Sequence, residues 1–135
     1  MRAFLDTNVL VSAFTTRGLS ADVLRLVLVE HELVTGEFNL VELRRVLRTR
    51  MGAPDAPIDE AEQLLREQEV VPRASTPSPL ETRDPDNASV LPSAQAGEAD
   101  ILVTGDHDLL SLGEEAPLRI LSPRGFWELS RRGAS

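Results

Sequence analysis

The chain has 135 residues and a mass of 14.8 kDa, so we expect one compact domain over residues 1–135. Hydrophobic residues at 41% and charged residues at 27% are typical of a globular protein with a packed core, which excludes wholesale disorder. The sequence contains no cysteine, which excludes disulfides, thiol nucleophiles and zinc–thiolate sites, so any metal must bind to oxygen or imidazole ligands. No apolar run approaches the roughly 18 residues of a membrane span and no cleavable leader pattern is present, so we expect a cytoplasmic protein without a membrane partner.

The net charge of −8, from 14 basic and 22 acidic residues, disfavours electrostatic binding of nucleic acid to the surface as a whole. All of these basic residues are arginines, whose guanidinium groups suit phosphate recognition. Four of them lie close together on one segment, at Arg44, Arg45, Arg48 and Arg50. The cluster is a candidate for contact with RNA phosphates or with an acidic partner, and a solvated helix face is the alternative explanation.

The first half of the chain alternates short apolar runs with helical patterns. The run that ends at Asp6 predicts a buried strand through Leu5, followed by a helix that begins near Asn8. The next expected elements, in chain order, are a helix from a cap at Ser20–Asp22 to Val29, a strand over 32–35 and a helix over 37–50. In the last of these, Glu42 borders an apolar stripe, so we expect it to be half-buried at a spacing of about 100° per residue.

The second half continues the alternation. Gly52, Pro54 and Pro57 predict a break before the next helix. The remaining expected elements are a helix over 59–66, a strand over 69–71, an exposed loop over 72–83, a helix around 90–94, a strand over 100–104, a strand over 118–121 and a helix around 126–129. Together they predict an α/β fold, a three-layer α/β/α sandwich with a central parallel sheet of about five strands.

In such a sheet, functional sites gather beyond the carboxyl ends of the strands. Asp6 and Asp106 follow strands, the run Asp84–Asn87 precedes a helix, and Glu42 borders another helix, so these acids are candidates to converge. Converging carboxylates repel one another and stay ionised beside a hard cation such as Mg²⁺ or Mn²⁺, which can activate water against a phosphodiester. Each acid also has a structural alternative: a helix cap for Asp6 or Asp86, a turn for Asp106, and an ion pair with Arg45 for Glu42.

Other catalytic classes lack their residues. The sequence has no phosphate-binding loop of the G-x-x-x-x-G-K-[ST] or G-x-G-x-x-G type and no G-x-S-x-G element of a serine hydrolase. Its two histidines, His31 and His107, are too far apart in sequence to form a ligand pair by spacing. A metal-dependent phosphodiesterase therefore remains the chemistry that the residues favour.

Three segments resemble the PIN-domain family, and more narrowly its toxin components of toxin–antitoxin systems. These segments are Leu5–Ala13, Val41–Leu47 and Asp84–Leu110, so the resemblance spans most of the chain. It implies Mg²⁺- or Mn²⁺-dependent endoribonuclease activity on single-stranded RNA. It also implies a homodimer and a cognate antitoxin protein that inhibits the enzyme.

The resemblance also assigns roles to individual residues. Asp6, Glu42 and Asp106 match family acids that hold the metal, and Asn8 matches the polar residue that accompanies the first acid. Thr104, which precedes the last of these acids, is expected to position water or carboxylates in the site.

The third family acid is where the sequence departs from the pattern. That acid falls at Asn87, an amide that can contact a metal or water through its carbonyl but brings no negative charge. Pro92 is incompatible with a regular helix that begins at Asn87, because it would remove a hydrogen bond and clash with the preceding turn. A later helix start would change which of Asp84, Asp86 and Asn87 faces the site, and Asp86 is our predicted fourth ligand.

Two alternatives to the enzyme follow from these departures and from the fold. The first is a degenerate PIN domain that binds RNA or a partner protein without cleaving RNA. The second is a phosphoacceptor receiver-like domain, which also places acids at the ends of parallel strands. The sequence contains no lysine, and a domain of that class is expected to have one at its site.

Overall fold

The computed structural model describes residues 1–72 and 90–132. Within them, five strands form one sheet: Arg2–Leu5 (β1), Glu32–Gly36 (β2), Glu69–Val71 (β3), Ile101–Val103 (β4) and Arg119–Leu121 (β5). All the neighbouring strands pair in parallel, in the order β3-β2-β1-β4-β5. The expected parallel sheet of five strands is therefore confirmed.

The described helices connect these strands. They are Thr7–Thr15 (α1), Leu19–Glu30 (α2), Glu37–Thr49 (α3), Asp55–Arg66 (α4), Val90–Ala96 (α5), His107–Leu110 (α6) and Pro123–Arg131 (α7), with a short 3₁₀ helix at Gly113–Glu115. No helix in residues 1–72 and 90–132 is both long and apolar enough to cross a membrane.

The sheet separates two hydrophobic cores, as the alternation of side chains along a strand requires. In β1, Ala3 and Leu5 belong to the larger core, which also contains side chains of α1, α2, α3 and α7. Phe4 belongs to the smaller core, together with Leu91 of α5 and Leu109 of α6. Helices thus cover both faces of the sheet, and the expected three-layer α/β/α sandwich is confirmed.

The strand order places a topological switch point between β1 and β4. The chain adds β2 and β3 on one side of β1, then crosses to add β4 and β5 on the other side. Leu5 and Val103 are paired in register at the carboxyl ends of the two central strands. Asp6 and Thr104 follow these two residues, so they lie at the edge of the sheet where open α/β proteins form ligand sites.

Several boundaries differ from the sequence prediction. Helix α2 begins at Leu19 behind Gly18, so Ser20 is not its cap. Helix α4 begins at Asp55, one turn before the predicted start, because Pro57 falls in the first turn, where a backbone N–H has no partner within the helix. The turn predicted after β4 is instead the short helix α6.

Part of the prediction lies outside the described residues. This part includes nearly all of the loop expected over 72–83 and the residues Asp84, Asp86 and Asn87. Pro92 lies within the described residues, where it is the third residue of α5.

Candidate functional site

Asp6 is a buried carboxylate at the switch point. It follows β1 directly, acts as the N-cap of α1, and has a relative exposure of 3%. Burial raises the pKa of its carboxyl from 3.8 to about 6, and the negative charges of Glu42 and Asp106 add to that increase. The capping role that the sequence offered as an alternative is therefore present, and the same carboxylate interacts with the negative charges of Glu42 and Asp106.

Four donors surround the Asp6 carboxylate. Oδ1 accepts from the backbone N–H of Thr7 at 2.7 Å and from Nδ2 of Asn39 at 3.2 Å. Oδ2 accepts from the hydroxyl of Thr104 at 2.8 Å and from Nδ2 of Asn8 at 3.3 Å. The bonds from Thr104 and Thr7 lower the pKa of Asp6 and so oppose part of the effect of burial.

Thr104 and Asn8 join the ends of β1 and β4. The Thr104 hydroxyl, which donates to Asp6, accepts from the backbone N–H of Asp106 at 3.0 Å and from Nδ2 of Asn8 at 3.3 Å. Asn8 accepts in turn from the backbone N–H of Gly105 at 2.9 Å. Both residues therefore contact the group that the sequence predicted them to accompany.

Asp106 is half-buried and caps α6. Its Oδ1 accepts from the backbone N–H of Asp108 at 2.7 Å and from that of Leu109 at 3.4 Å. Its charge nevertheless acts on Asp6, so the carboxylate contributes to the electrostatics of the site while it holds the helix start.

Glu42 approaches from α3. Its side chain is 21% exposed, as its position at the border of the apolar stripe predicted, and its Oε2 lies 3.8 Å from Arg45 Nη2. The expected ion pair with Arg45 is thus present as a loose contact. The negative charge of Glu42 also raises the pKa of Asp6, so the two carboxylates interact electrostatically.

Asn39 belongs to the site although the sequence analysis did not identify it. It lies one helical turn before Glu42 on α3, is fully buried, and donates to Asp6 and, at 2.9 Å, to the hydroxyl of Thr7. The available signal was a polar residue next to the apolar stripe of α3. That signal does not specify a partner 33 positions away.

Two arginines of the cluster form ion pairs within the protein. Arg44 contacts Asp59 at 2.9 Å and Glu62 at 2.8 Å, and Arg48 contacts Asp55 at 3.0 Å. These contacts fasten α3 to α4. They give Arg44 and Arg48 acidic partners inside the chain, where the sequence had suggested RNA phosphates or an acidic partner protein.

The histidines stay outside the site. His31 caps the carboxyl end of α2 and contacts the ring of Phe126 edge to face, and His107 is exposed at the start of α6. In the part of the chain that the structure describes, no three His, Asp or Glu side chains are grouped closely enough to form a metal cage. The fourth expected ligand lies outside that part.

The fold and the site define an α/β protein with an acidic centre at the switch point of a parallel sheet. A family model for the PIN domain matches residues 2–108, and the chain belongs to the PIN-domain family. No functionally curated protein matches the sequence significantly.

Several solved structures share the fold. VapBC2 from Rickettsia felis, bound to a DNA fragment from their promoter, has a TM-score of 0.64 and 15% identity, over 90% of this chain and 98% of that one. VapBC-1 from nontypeable Haemophilus influenzae has a TM-score of 0.59 and 17% identity, over 92% and 99%. A domain of a functionally unknown protein from Methanocaldococcus jannaschii DSM 2661 has a TM-score of 0.55 and 18% identity, over 88% of each chain.

Proposed function

We propose that this protein is a metal-dependent endoribonuclease that cleaves single-stranded RNA and serves as the toxin of a toxin–antitoxin pair. The observation that carries the proposal is the environment of Asp6. A carboxylate is buried at the switch point of a PIN-domain sheet, and two more carboxylates, of Glu42 and Asp106, act on its charge. Burial of mutually repelling acids costs free energy, and sites that bear such a cost are commonly functional.

The chemistry of the acidic side chains suits a hard divalent cation. Their ionisable groups are carboxylates, which suit Mg²⁺ and Mn²⁺ and not metals that prefer thiolates. Burial is the main cause of the raised pKa of Asp6, and the causes that oppose it are hydrogen bonds from Thr104 and Thr7 and not a cationic side chain. A cation bound there would offset the repulsion from Glu42 and Asp106.

Each residue has a definite part in the proposed reaction. Asp6, Glu42 and Asp106 would hold Mg²⁺ or Mn²⁺, with Asp86 as the proposed fourth ligand or Asn87 as a carbonyl donor in its place. When bound, the metal supplies an activated water and stabilises the charge on the leaving oxygen of the phosphodiester. Asn8 and Thr104 orient the Asp6 carboxylate through the hydrogen bonds that they donate to its Oδ2.

The partners of the proposed enzyme follow from its family and its charge. Two of the solved structures that share the fold are VapBC proteins, which supports a cognate antitoxin as partner. A homodimer is proposed on the family resemblance alone. Because the chain is acidic overall, RNA would approach through local contacts near the metal and not through a basic surface.

A degenerate PIN domain that binds RNA or protein without cleaving RNA is the second candidate. The amide of Asn87, at the position of a family acid, is the observation that favours it. Such a domain would keep the fold and lose tight metal binding, because one ligand charge is missing.

The test is cleavage of a mixed pool of single-stranded RNA with Mg²⁺ or Mn²⁺. It compares the wild type with an EDTA control, with Asp6→Asn and with Glu60→Gln, a matched loss of one charge at an exposed site on α4. We expect metal-dependent cleavage by the wild type and Glu60→Gln, and none by Asp6→Asn. Absence of cleavage by the folded, antitoxin-free wild type would favour the degenerate binder, and full activity of Asp6→Asn would overturn the assignment of the site.

A further inference from the structure

Asn39 is the one fully buried side-chain amide among the described residues, and both its contacts are in the candidate site. Nδ2 lies 3.2 Å from Asp6 Oδ1 and 2.9 Å from Thr7 Oγ1. Since a carboxylate only accepts hydrogen bonds, the amide can present its nitrogen to Asp6 but not its oxygen. The orientation of the Asn39 side chain is therefore fixed by Asp6.

The other end of the amide is packed against glycine. Asn39 Oδ1 is buried without a hydrogen-bond partner among the described residues, and a Cβ on Gly36 would lie only 2.9 Å from it and 3.2 Å from Ser93 Oγ. The backbone of Gly36, with φ −112° and ψ 155°, is one that any residue adopts, so glycine is needed here for space and not for conformation. Gly36 thus leaves the room that Asn39 occupies when it faces Asp6.

We infer that Asn39 is a positioning residue that holds Asp6 Oδ1 in place and so fixes the carboxylate in its metal-binding orientation. The inference rests on the proposed function. Asp6 Oδ2 is held from the β4 side by Thr104, and Oδ1 is held from α3 by Asn39, so the carboxylate is held at both oxygens by buried side chains. The helix that supplies Glu42 thereby also orients Asp6, which couples two of the expected ligands.

The inference also explains a polar residue in an otherwise apolar environment. A buried amide with an unpartnered oxygen destabilises a fold, and an apolar side chain of similar size would pack there without that penalty. Its presence in the core next to Asp6 points to a role in the site, because partners that orient metal ligands commonly affect metal affinity strongly.

The experiment is calorimetric titration of Mn²⁺ in the absence of RNA, with four variants. Asn39→Leu removes the donor at similar volume, and Gly36→Ala keeps the amide but places a Cβ against Asn39 Oδ1 and, less closely, against Ser93 Oγ. Thr35→Val is the control for the first, because Thr35 is also fully buried and its hydroxyl makes no hydrogen bond to any residue in 1–72 or 90–132. Gly18→Ala is the control for the second, because a Cβ there meets only Thr16 Oγ1 at an ordinary 3.7 Å.

We expect the Mn²⁺ affinity to fall by roughly 10- to 100-fold in Asn39→Leu and Gly36→Ala and to stay at the wild-type value in both controls. Wild-type affinity in Asn39→Leu would overturn the positioning role while the proposed function stands. Failure of the wild type to bind Mn²⁺ would overturn the proposed function itself, and the positioning role with it.

A measurement on the wild type covers the case in which Asn39→Leu does not fold. In NMR spectra, the side-chain amide protons of Asn39 should exchange with solvent far more slowly than those of the exposed Asn8. They should also shift when Mg²⁺ is added. Exchange as fast as that of Asn8, or no shift at saturating Mg²⁺, would contradict the inference.

Discussion

Thr104 donates its hydroxyl proton to Oδ2 of Asp6 at 2.8 Å, and so ties together two residues that are 98 positions apart in sequence. Thr104 follows β4 and Asp6 follows β1, the two central strands of the sheet. The bond is buried and one partner is a carboxylate, so it belongs to the stronger class of hydrogen bonds. It joins the ends of the two central strands at the candidate site.

The first prediction removes this bond. Thr104→Val keeps the shape of the side chain and should lower the free energy of unfolding by about 1.5–3 kcal/mol, because a buried bond to a charged group is lost. Because the Thr104 hydroxyl lowers the pKa of Asp6, the variant should raise that pKa further. Urea unfolding and the ¹³C carboxyl shift of Asp6 measure the two effects, and Thr35→Val is the matched control. A variant that is as stable as the wild type and has the same Asp6 pKa would contradict this account.

The second prediction concerns pH in the absence of metal. The pKa of Asp6 is about 6 in the folded protein against 3.8 for the ordinary group, so between these values the folded state binds more protons than the unfolded state. The contribution of Asp6 to stability should therefore fall as the pH rises from 4 to 6, by at most roughly 3 kcal/mol. Hydrogen bonds from Arg66 are the main cause of the lowered pKa values of Glu37 and Glu62. The stability that these two groups contribute therefore changes in the opposite direction, and decreases as the pH falls.

The difference in the free energy of unfolding between the wild type and Asp6→Asn isolates the contribution of Asp6, because Glu37 and Glu62 titrate in both proteins. Urea unfolding in EDTA at several pH values gives that difference. The wild type should lose stability relative to Asp6→Asn as the pH rises through this range. Parallel pH profiles would show that Asp6 is not desolvated as the structure indicates.

The third prediction tests the packing of the smaller core, which contains Phe4 of β1 and Leu91 of α5. A Cβ on Gly97 would lie 2.7 Å from side-chain atoms of both Val34 and Val71, so Gly97→Ala should overpack the smaller core. We expect a loss of about 1–3 kcal/mol in the free energy of unfolding. Thermal or urea unfolding measures it against Gly18→Ala, which meets no such contact. Equal stability of the two variants would contradict the described position of the helix α5 that precedes Gly97.

The sequence predicted the elements whose signals are local. An apolar run that stops at an acid gives both β1 and Asp6, and the stripe of α3 gives the half-buried position of Glu42. The start of α4 was missed because Pro57 breaks a helix in most positions but not in its first turn. The helix α6 was missed because Gly105–Asp108 satisfies the local rules for a turn equally well.

The rest of the site depends on contacts between distant residues. Asn39 meets Asp6 because α3 packs against α1, the helix that Asp6 caps, and no local pattern encodes that contact. Likewise, Arg44 and Arg48 pair with acids of α4 across a helix pair, and the arginine cluster in the sequence does not reveal those contacts. The predicted fourth ligand, Asp86, stays a prediction because it lies outside the described residues.

The most direct test of the central claim is to locate the metal. When Mn²⁺ is titrated into the ¹⁵N-labelled wild type, paramagnetic broadening should first remove the backbone signals of Thr7, Gly105 and other residues near Asp6, Glu42 and Asp106. Asp6→Asn should abolish this localised broadening. Broadening that begins at the acidic residues of α4, or that is spread evenly over the surface, would contradict a metal centre at the switch point.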